Sequence, residues 1–126
     1  MHNKPWTFYG APMSYFSGKI RPALQYKKIE FAEIWPDREV QKEIQEKTGV
    51  RFIPVLETPD GEILQDSPRM LERLEELVPS PAIFPEDPAV RIVAEVLQDF
   101  FDDVLVAQAL HWRWSFPEQR AWVEED

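Results

Sequence analysis

Phe52-Ile53-Pro54-Val55-Leu56, with Thr58-Pro59-Asp60-Gly61 behind it and Asp66-Ser67-Pro68 further on, is the stretch that decides the fold. Proline has no N–H to give to a sheet ladder, so in a sheet it sits at a strand's first residue, at an edge or at a bulge. Pro54, directly ahead of an apolar run, marks the start of a strand. Pro59-Asp60-Gly61 supplies a turn. A short return strand then covers Glu62 to Leu64, and Ser67-Pro68 has the form of an N-cap followed by the first helical residue. The outcome is an exposed backbone edge beside a helix N-terminus that lacks a side-chain anion. That pair can grip a peptide-like carboxylate, and it points to a small-peptide cofactor.

Working outward, Trp6 to Tyr9 is short, apolar and aromatic and ends at Gly10, as a strand does. Ile20, Ala23 and Leu24 at helical spacing predict a helix from about Ser14 to Lys27, with Pro22 inside it. Unless that helix starts late, Pro22 removes a hydrogen bond and kinks it. Ile29 to Trp35 alternates as a strand. Asp37 caps a charged helix through Lys47, with Val40 and Ile44 facing inward and Gly49 past its end. With the Ile-Pro strand, the return strand and a helix from Pro68 to about Leu77, the order is β-α-β-α-β-β-α.

Val78-Pro79-Ser80-Pro81 and Phe84-Pro85-Glu86-Asp87-Pro88 form a proline-rich link, a semi-rigid domain boundary. The expected division is 1–78, a linker over 79–87, and 88–126. Asp87 caps a helix of roughly 25 residues, about twice the mean length. Val93, Val96, Leu97, Phe100, Val104 and Leu110 form its apolar stripe. Trp112, Trp114, Phe116 and Trp122 crowd the tail, and little follows to cover so much apolar surface. Pro117 to Asp126 looks like a helix start that stops mid-element, so a chain that is part of a longer protein is expected.

The composition narrows the chemistry. A chain of 126 residues, 44% hydrophobic, can build one compact domain and little more. A formal charge of −9 disfavours nucleic acid and anionic membrane surfaces as partners. The absence of Cys excludes disulfides, thiolate nucleophiles and thiol metal sites. His2, in a frayed N-terminus, and His111, among tryptophans, are the two imidazoles, so a histidine triad or zinc site is not expected. Asp99, Asp102 and Asp103 lack a third ligand on one face, and no metal is expected. No signal peptide or membrane span is visible, which suggests a cytoplasmic protein.

The element order, Ile53-Pro54 and the Gln65-Asp66-Ser67 run before a helix resemble the N-terminal thioredoxin-like domain of cytosolic glutathione transferases. The proline-rich link and long helix resemble the start of that family's all-helical C-terminal domain. The resemblance covers nearly the whole chain. It implies a cis-proline at Pro54, with the Ile53 main chain pairing with the cysteinyl unit of glutathione like an added strand. It implies that Ser67 meets the γ-glutamyl carboxylate and that Asp66, or Gln65 beside it, faces the ammonium. Ser67 also caps a helix without any ligand.

Ser14-Tyr15-Phe16-Ser17 occupies the place where related proteins carry Cys-x-x-Cys, Cys-Pro-x-x or Ser-Pro-x-x. Two serines cannot exchange disulfides, but a hydroxyl at a helix N-terminus can stabilise a bound thiolate. A free thiol has a pKa of about 8.5, and such surroundings lower it into the physiological range. Ser14 is the first candidate, Ser17 the second and Tyr9, at the end of the first strand, the third. Each serine has a plain capping role as its alternative. The sequence departs from the family at Pro22 and at Phe52, where several classes place a polar or basic side chain for the glycyl carboxylate. That task then falls to Lys42, Lys47 or Arg51, each also readable as a surface charge.

Two functions stand side by side. One is an enzyme of glutathione-transferase type, with glutathione as co-substrate, a small electrophile as the second substrate and a homodimer as the assembly. The other is a non-catalytic module that uses the fold for dimerisation or protein interaction, since folds are reused without their chemistry. A glutaredoxin-like oxidoreductase is a third, weaker reading, opposed by the missing cysteines.

Overall fold

A computed structural model describes residues 5–124. His2 and the final Glu125-Asp126 lie outside the described residues. The chain divides into two compact units, Met1–Ile83 and Phe84–Asp126, and the division falls inside the proline-rich stretch.

The first unit is a four-stranded mixed sheet with helices, in the thioredoxin-like order β-α-β-α-β-β-α. Its strands are β1 (Trp6–Tyr9), β2 (Phe31–Ile34), β3 (Val55–Glu57) and β4 (Ile63–Gln65), in spatial order β2-β1-β3-β4. β1 pairs with β2 in parallel, and β3 runs antiparallel to both β1 and β4. The helices are α1 (Ser17–Tyr26), α2 (Arg38–Thr48) and α3 (Ser67–Leu77).

Strand alternation divides the core. Tyr9 and Val55 are register partners and form a buried cluster with Ile44 of α2, flanked by Ile34, Val40, Ile53 and Ile63. Phe8 and Leu56, also partners and both fully buried, point to the opposite face. There the Phe8 ring meets Phe31 edge-on and lies under the Arg21 guanidinium of α1. Ile20 and Leu24 of α1 and Met70, Leu71 and Leu74 of α3 are buried as well. Burying one such side chain contributes about 1.5–3 kcal/mol.

α2 follows its sequence signals closely. Asp37 accepts from the amides of Glu39 and Val40, and Gly49 ends the helix at φ 83, a left-handed conformation that glycine takes at little cost. Other boundaries shift for identifiable reasons. α1 does not begin at Ser14: a single turn closes there, Gly18 N–H donating to the Ser14 carbonyl, and the regular helix starts at Ser17. Even with this later start Pro22 lies past the first turn, so the Gly18 carbonyl gets no donor from it, yet the helix runs on to Tyr26. β2 is shorter than expected because the Ile29 amide turns back to the Leu24 carbonyl and is lost to the ladder. β3 begins only at Val55, since Pro54 offers no N–H. The Ile53–Pro54 and Ser80–Pro81 peptides are both cis.

The link after α3 is tied to the first unit by Lys27. Its side chain is fully buried, pairs with Glu75 at 2.6 Å and donates to the carbonyls of Val78 and Pro81. Glu75 in turn accepts from the Ile83 amide.

The second unit contains α4 (Pro88–Asp99), a π-helical segment (Phe100–Leu105), α5 (Val106–Trp114) and α6 (Pro117–Glu124). Asp87 caps α4 through Ala89 and Val90, with Pro88 at the first turn. The expected single long helix is thus interrupted by a π turn. Its apolar stripe stays exposed: Val93, Val96, Leu97, Phe100, Val104 and Leu110 are each 45–62% accessible. Trp112 stacks on Phe116, and His111 lies edge-on to both while its Nδ1 meets Ser115 Oγ at 2.9 Å.

Candidate functional site

A cleft of about 280 Å³ opens in the first unit. Ile53, Pro54, Gln65, Asp66 and Ser67 all line it, so the Ile-Pro strand start and the acid-serine run meet in one place. The β3–β4 ladder starts at Val55↔Gln65, which leaves the Ile53 main chain beyond the paired region. Gln65 holds the rim together by donating its side-chain amide to the Phe52 carbonyl at 3.0 Å. Its amide oxygen remains an acceptor by chemistry.

The N-terminus of α3 forms one wall. Ser67 is not the cap; it is the first helical residue, 5% exposed, and Asp66 holds the cap position. Asp66 makes no side-chain capping bond. The first-turn amides are therefore not met by the cap's carboxylate, and an incoming anion can meet them instead. Asp66 also has φ 76 and ψ 109, a region that a residue with a Cβ rarely enters. Its carboxylate is exposed and only 3.7 Å from Arg69 Nε. This donor set suits an amino acid's zwitterionic end: amides and hydroxyl for a carboxylate, Asp66 and Gln65 for an ammonium.

The turn before α1 borders the same cleft through Phe16. Ser14 Oγ is half-buried and accepts from the Ser17 amide at 3.2 Å, which leaves its own O–H to donate elsewhere. Ser17 is fully buried, and its Oγ accepts from the Ala11 amide at 3.3 Å. Gly10 allows this packing. A Cβ there would lie 2.7 Å from the Phe8 ring and 3.1 Å from Ser17 Oγ. None of Ser14, Ser17 and Tyr9 is among the residues that line the cleft.

Tyr9 belongs to a separate cluster on the α2 face. Its hydroxyl donates to Glu43 at 2.8 Å and accepts from Lys47 at 2.8 Å, with Glu57 at 3.4 Å. Lys47 also pairs with Glu43 at 2.7 Å and Glu57 at 2.6 Å. Burial, together with the Glu43 carboxylate, raises the Tyr9 pKa above 10.0 even though Lys47 opposes the shift. Hydrogen bonds from Lys47 and Tyr9 hold the Glu43 carboxyl below its usual value. Burial works against the Lys47 charge, but its bonds to Glu43, Glu57 and Tyr9 outweigh that and push its pKa up. A tyrosine whose proton is held more tightly, on a hydroxyl already engaged, is poorly suited to stabilise a thiolate.

The three candidate cations for a glycyl carboxylate do not line the cleft either. Lys47 is engaged as described, Arg51 Nε donates to Gln45 at 2.6 Å, and Lys42 lies 3.8 Å from Glu46. Residues that the sequence left out of the site are apolar: Phe16, Val50 and Phe52 complete the lining. Phe52 is 74% exposed. Its position next to Ile53, and Val50's just past the Gly49 cap, are the signals that could have found them. Among the described residues, no group of His, Cys, Asp and Glu is arranged to hold a metal ion, and no helix is long and apolar enough to cross a membrane.

Residues 8–82 match the family model described as glutathione S-transferase, N-terminal domain. No match was found among curated proteins. Among solved structures, a glutathione S-transferase from Rhodospirillum rubrum is similar at TM-score 0.72 and 24% identity, over 78% of this chain and 45% of that one. A Tau class glutathione S-transferase from mango, Mangifera indica, gives TM-score 0.76 and 20% identity over 98% of this chain and 58% of that one. A glutathione S-transferase from Methylobacterium radiotolerans, solved in complex with glutathione sulfonate, gives 0.71 and 25% over 91% and 55%. The chain thus spans about half the length of the structures it matches.

Proposed function

The chain belongs to the glutathione S-transferase N-terminal domain family, and from that premise we propose that it binds glutathione in the Ile53–Ser67 cleft and activates its thiol for attack on an electrophile. The observation that carries this reading is the convergence of Ile53, Pro54, Gln65, Asp66 and Ser67 on one cleft at a helix N-terminus left uncapped by Asp66.

Each residue has a task. The α3 amides and the Ser67 hydroxyl hold the γ-glutamyl carboxylate. Asp66 and the Gln65 amide oxygen receive the ammonium. The Ile53 main chain, outside the β3–β4 ladder, pairs with the cysteinyl unit as an added strand does. Ser14 donates its hydroxyl to the sulfur and favours the thiolate, and each pKa unit of that preference is worth about 1.4 kcal/mol. Glutathione supplies the sulfur nucleophile; the thiol proton leaves to solvent, and a carbon–sulfur bond forms as the electrophile either loses a leaving group with its bonding pair or opens a π bond that takes up a proton. Ser17, which is fully buried, and Tyr9, whose hydroxyl already donates to Glu43, take no part. The second substrate is a small electrophile, the assembly a homodimer and the setting the cytoplasm.

Calorimetric titration with glutathione and with S-methylglutathione tests this. Both should bind, and only the free thiol should release a proton. Ser14→Ala should keep binding but raise the thiol pKa and lower turnover about tenfold, which corresponds to one pKa unit. Unchanged turnover would remove Ser14 from the chemistry.

The non-catalytic reading is favoured by one observation, the apolar lining contributed by Phe16, Val50 and Phe52. Failure of either peptide to bind at millimolar concentration, in a chain that forms a tight dimer, would select it.

A further inference from the structure

The cleft mixes polar and apolar lining, Gln65, Asp66 and Ser67 with Phe16, Val50 and Phe52, and the Gln65 side-chain amide donates to the Phe52 carbonyl. Among the described residues no Lys or Arg lines the cleft, and the single charged residue type there is an acid, Asp66. The whole chain carries a formal charge of −9, so the surrounding field adds to the deficit of positive charge. The nearest cations in sequence are directed elsewhere: Arg51, next to Phe52, donates to Gln45 at 2.6 Å, and Lys47 is held by Tyr9, Glu43 and Glu57.

Glutathione has two carboxylates and one ammonium. The γ-glutamyl end finds both kinds of partner at α3. With Ile53 pairing with the cysteinyl unit in the reading above, the glycyl carboxylate comes next to it, beside Phe52, with no cation among the lining residues. A carboxylate set against apolar groups without a counter-charge loses hydration and gains nothing in return. An uncharged end loses less, and it covers Phe52, which is 74% exposed, and Val50, which is 40% exposed.

We propose that this cleft selects γ-glutamyl-cysteinyl peptides whose C-terminal end is uncharged and apolar, over glutathione itself. The inference rests on the glutathione-binding reading above and deepens it, naming which member of that ligand class the site prefers. Phe52 is then the residue that sets the preference.

The experiment is a calorimetric comparison of three probes with the 126-residue chain: glutathione, its glycyl monoethyl ester, and glutathione esterified at the γ-glutamyl α-carboxyl. The glycyl ester should bind about fivefold more tightly than glutathione, the scale of a partly exposed charge effect. The γ-glutamyl ester should bind more weakly than both. Phe52→Lys should reverse the order, improving glutathione without improving the glycyl ester. Because Phe52 is so exposed, the substitution leaves the core intact; a circular dichroism melt of the variant checks that. Glutathione binding as tightly as the glycyl ester, or more tightly, overturns the preference while leaving the glutathione reading standing. If none of the three binds, the glutathione reading falls and takes the preference with it. If Phe52→Lys folds and the order of affinities does not change, Phe52 does not set it.

Discussion

Asp66 holds the cap position of α3 in a backbone region that a residue with a Cβ rarely enters. The sequence pattern Ser67-Pro68 suggests that Ser67 is the cap, yet the helix starts one residue earlier and Asp66 takes the cap position at φ 76. Local pattern does not report a φ, which here is set by how β4 hands over to α3. Such a conformation costs about 1–3 kcal/mol in a residue with a Cβ. Glycine adopts it freely, at an added chain-entropy cost of roughly 0.5–1 kcal/mol. Asp66→Gly should therefore raise the unfolding midpoint slightly while weakening glutathione binding, because the carboxylate is lost. Opposite signs in a thermal melt and a titration are the expected result; a loss of stability would mean that the backbone is not strained there. Its loose contact with Arg69 contributes little either way.

Among the elements, α2 was the most legible, because Asp37, Val40, Ile44 and Gly49 each announce one feature of a helix. Less legible was what its polar face does. Glu43 and Lys47 are ordinary helix residues in sequence, and only the register of β1 and β3 brings Tyr9 and Glu57 against them. The Glu43 carboxyl titrates below its ordinary 4.5 in the folded chain. Its stabilising contribution is therefore fully present above that ordinary value and is lost as pH falls through the lower folded one. With Glu43 nearly half exposed, the contribution is at most about 1 kcal/mol. Urea melts of wild type and Glu43→Gln should differ by that much at pH 7, and the gap should begin to close only below about pH 4.5 and vanish once the folded carboxyl is protonated. A gap that does not narrow as pH falls below 4.5 would show that Glu43 acts through packing instead of charge. α1 was less legible in its start than in its core face. Ile20 and Leu24 are buried as spacing predicts, but the Ser14 turn and the Ser17 start depend on where Ala11 and Phe16 place their hydrogen bonds.

For the whole molecule, the order of elements in the first unit was readable because most boundaries carry a proline, a glycine or a cap, the joint over residues 27–30 between α1 and β2 being the exception. The cleft's polar lining was readable from the two motifs, whereas its apolar lining depended on how the chain bends after Gly49. The second unit was readable as helix but not as an interrupted one, since periodicity over Val93 to Leu110 does not distinguish α from π turns across a few residues. It leaves Val93, Val96, Leu97, Phe100, Val104 and Leu110 accessible to water in one chain. Large contiguous apolar patches are uncommon on monomeric proteins. The 126-residue chain should therefore self-associate with a concentration-dependent mass in sedimentation equilibrium, and Val96→Glu with Leu97→Glu should shift it toward monomer. A monodisperse monomer at high concentration would count against association through this face.

The Lys27 ammonium decides where the chain can be cut. Two of its acceptors, the Val78 and Pro81 carbonyls, lie beyond the last turn of α3, and Ile83 returns a bond to its counter-ion Glu75. A shortened gene ending at Leu77 would keep every helix and strand of the first unit yet remove both carbonyls from that buried cation, at a cost of about 1.5–3 kcal/mol. One ending at Ile83 would keep all its partners. The two products, nearly equal in secondary structure, should separate cleanly in their resistance to thermolysin, the longer surviving and the shorter being digested, so the autonomous folding limit of this domain lies within the prolines and not before them.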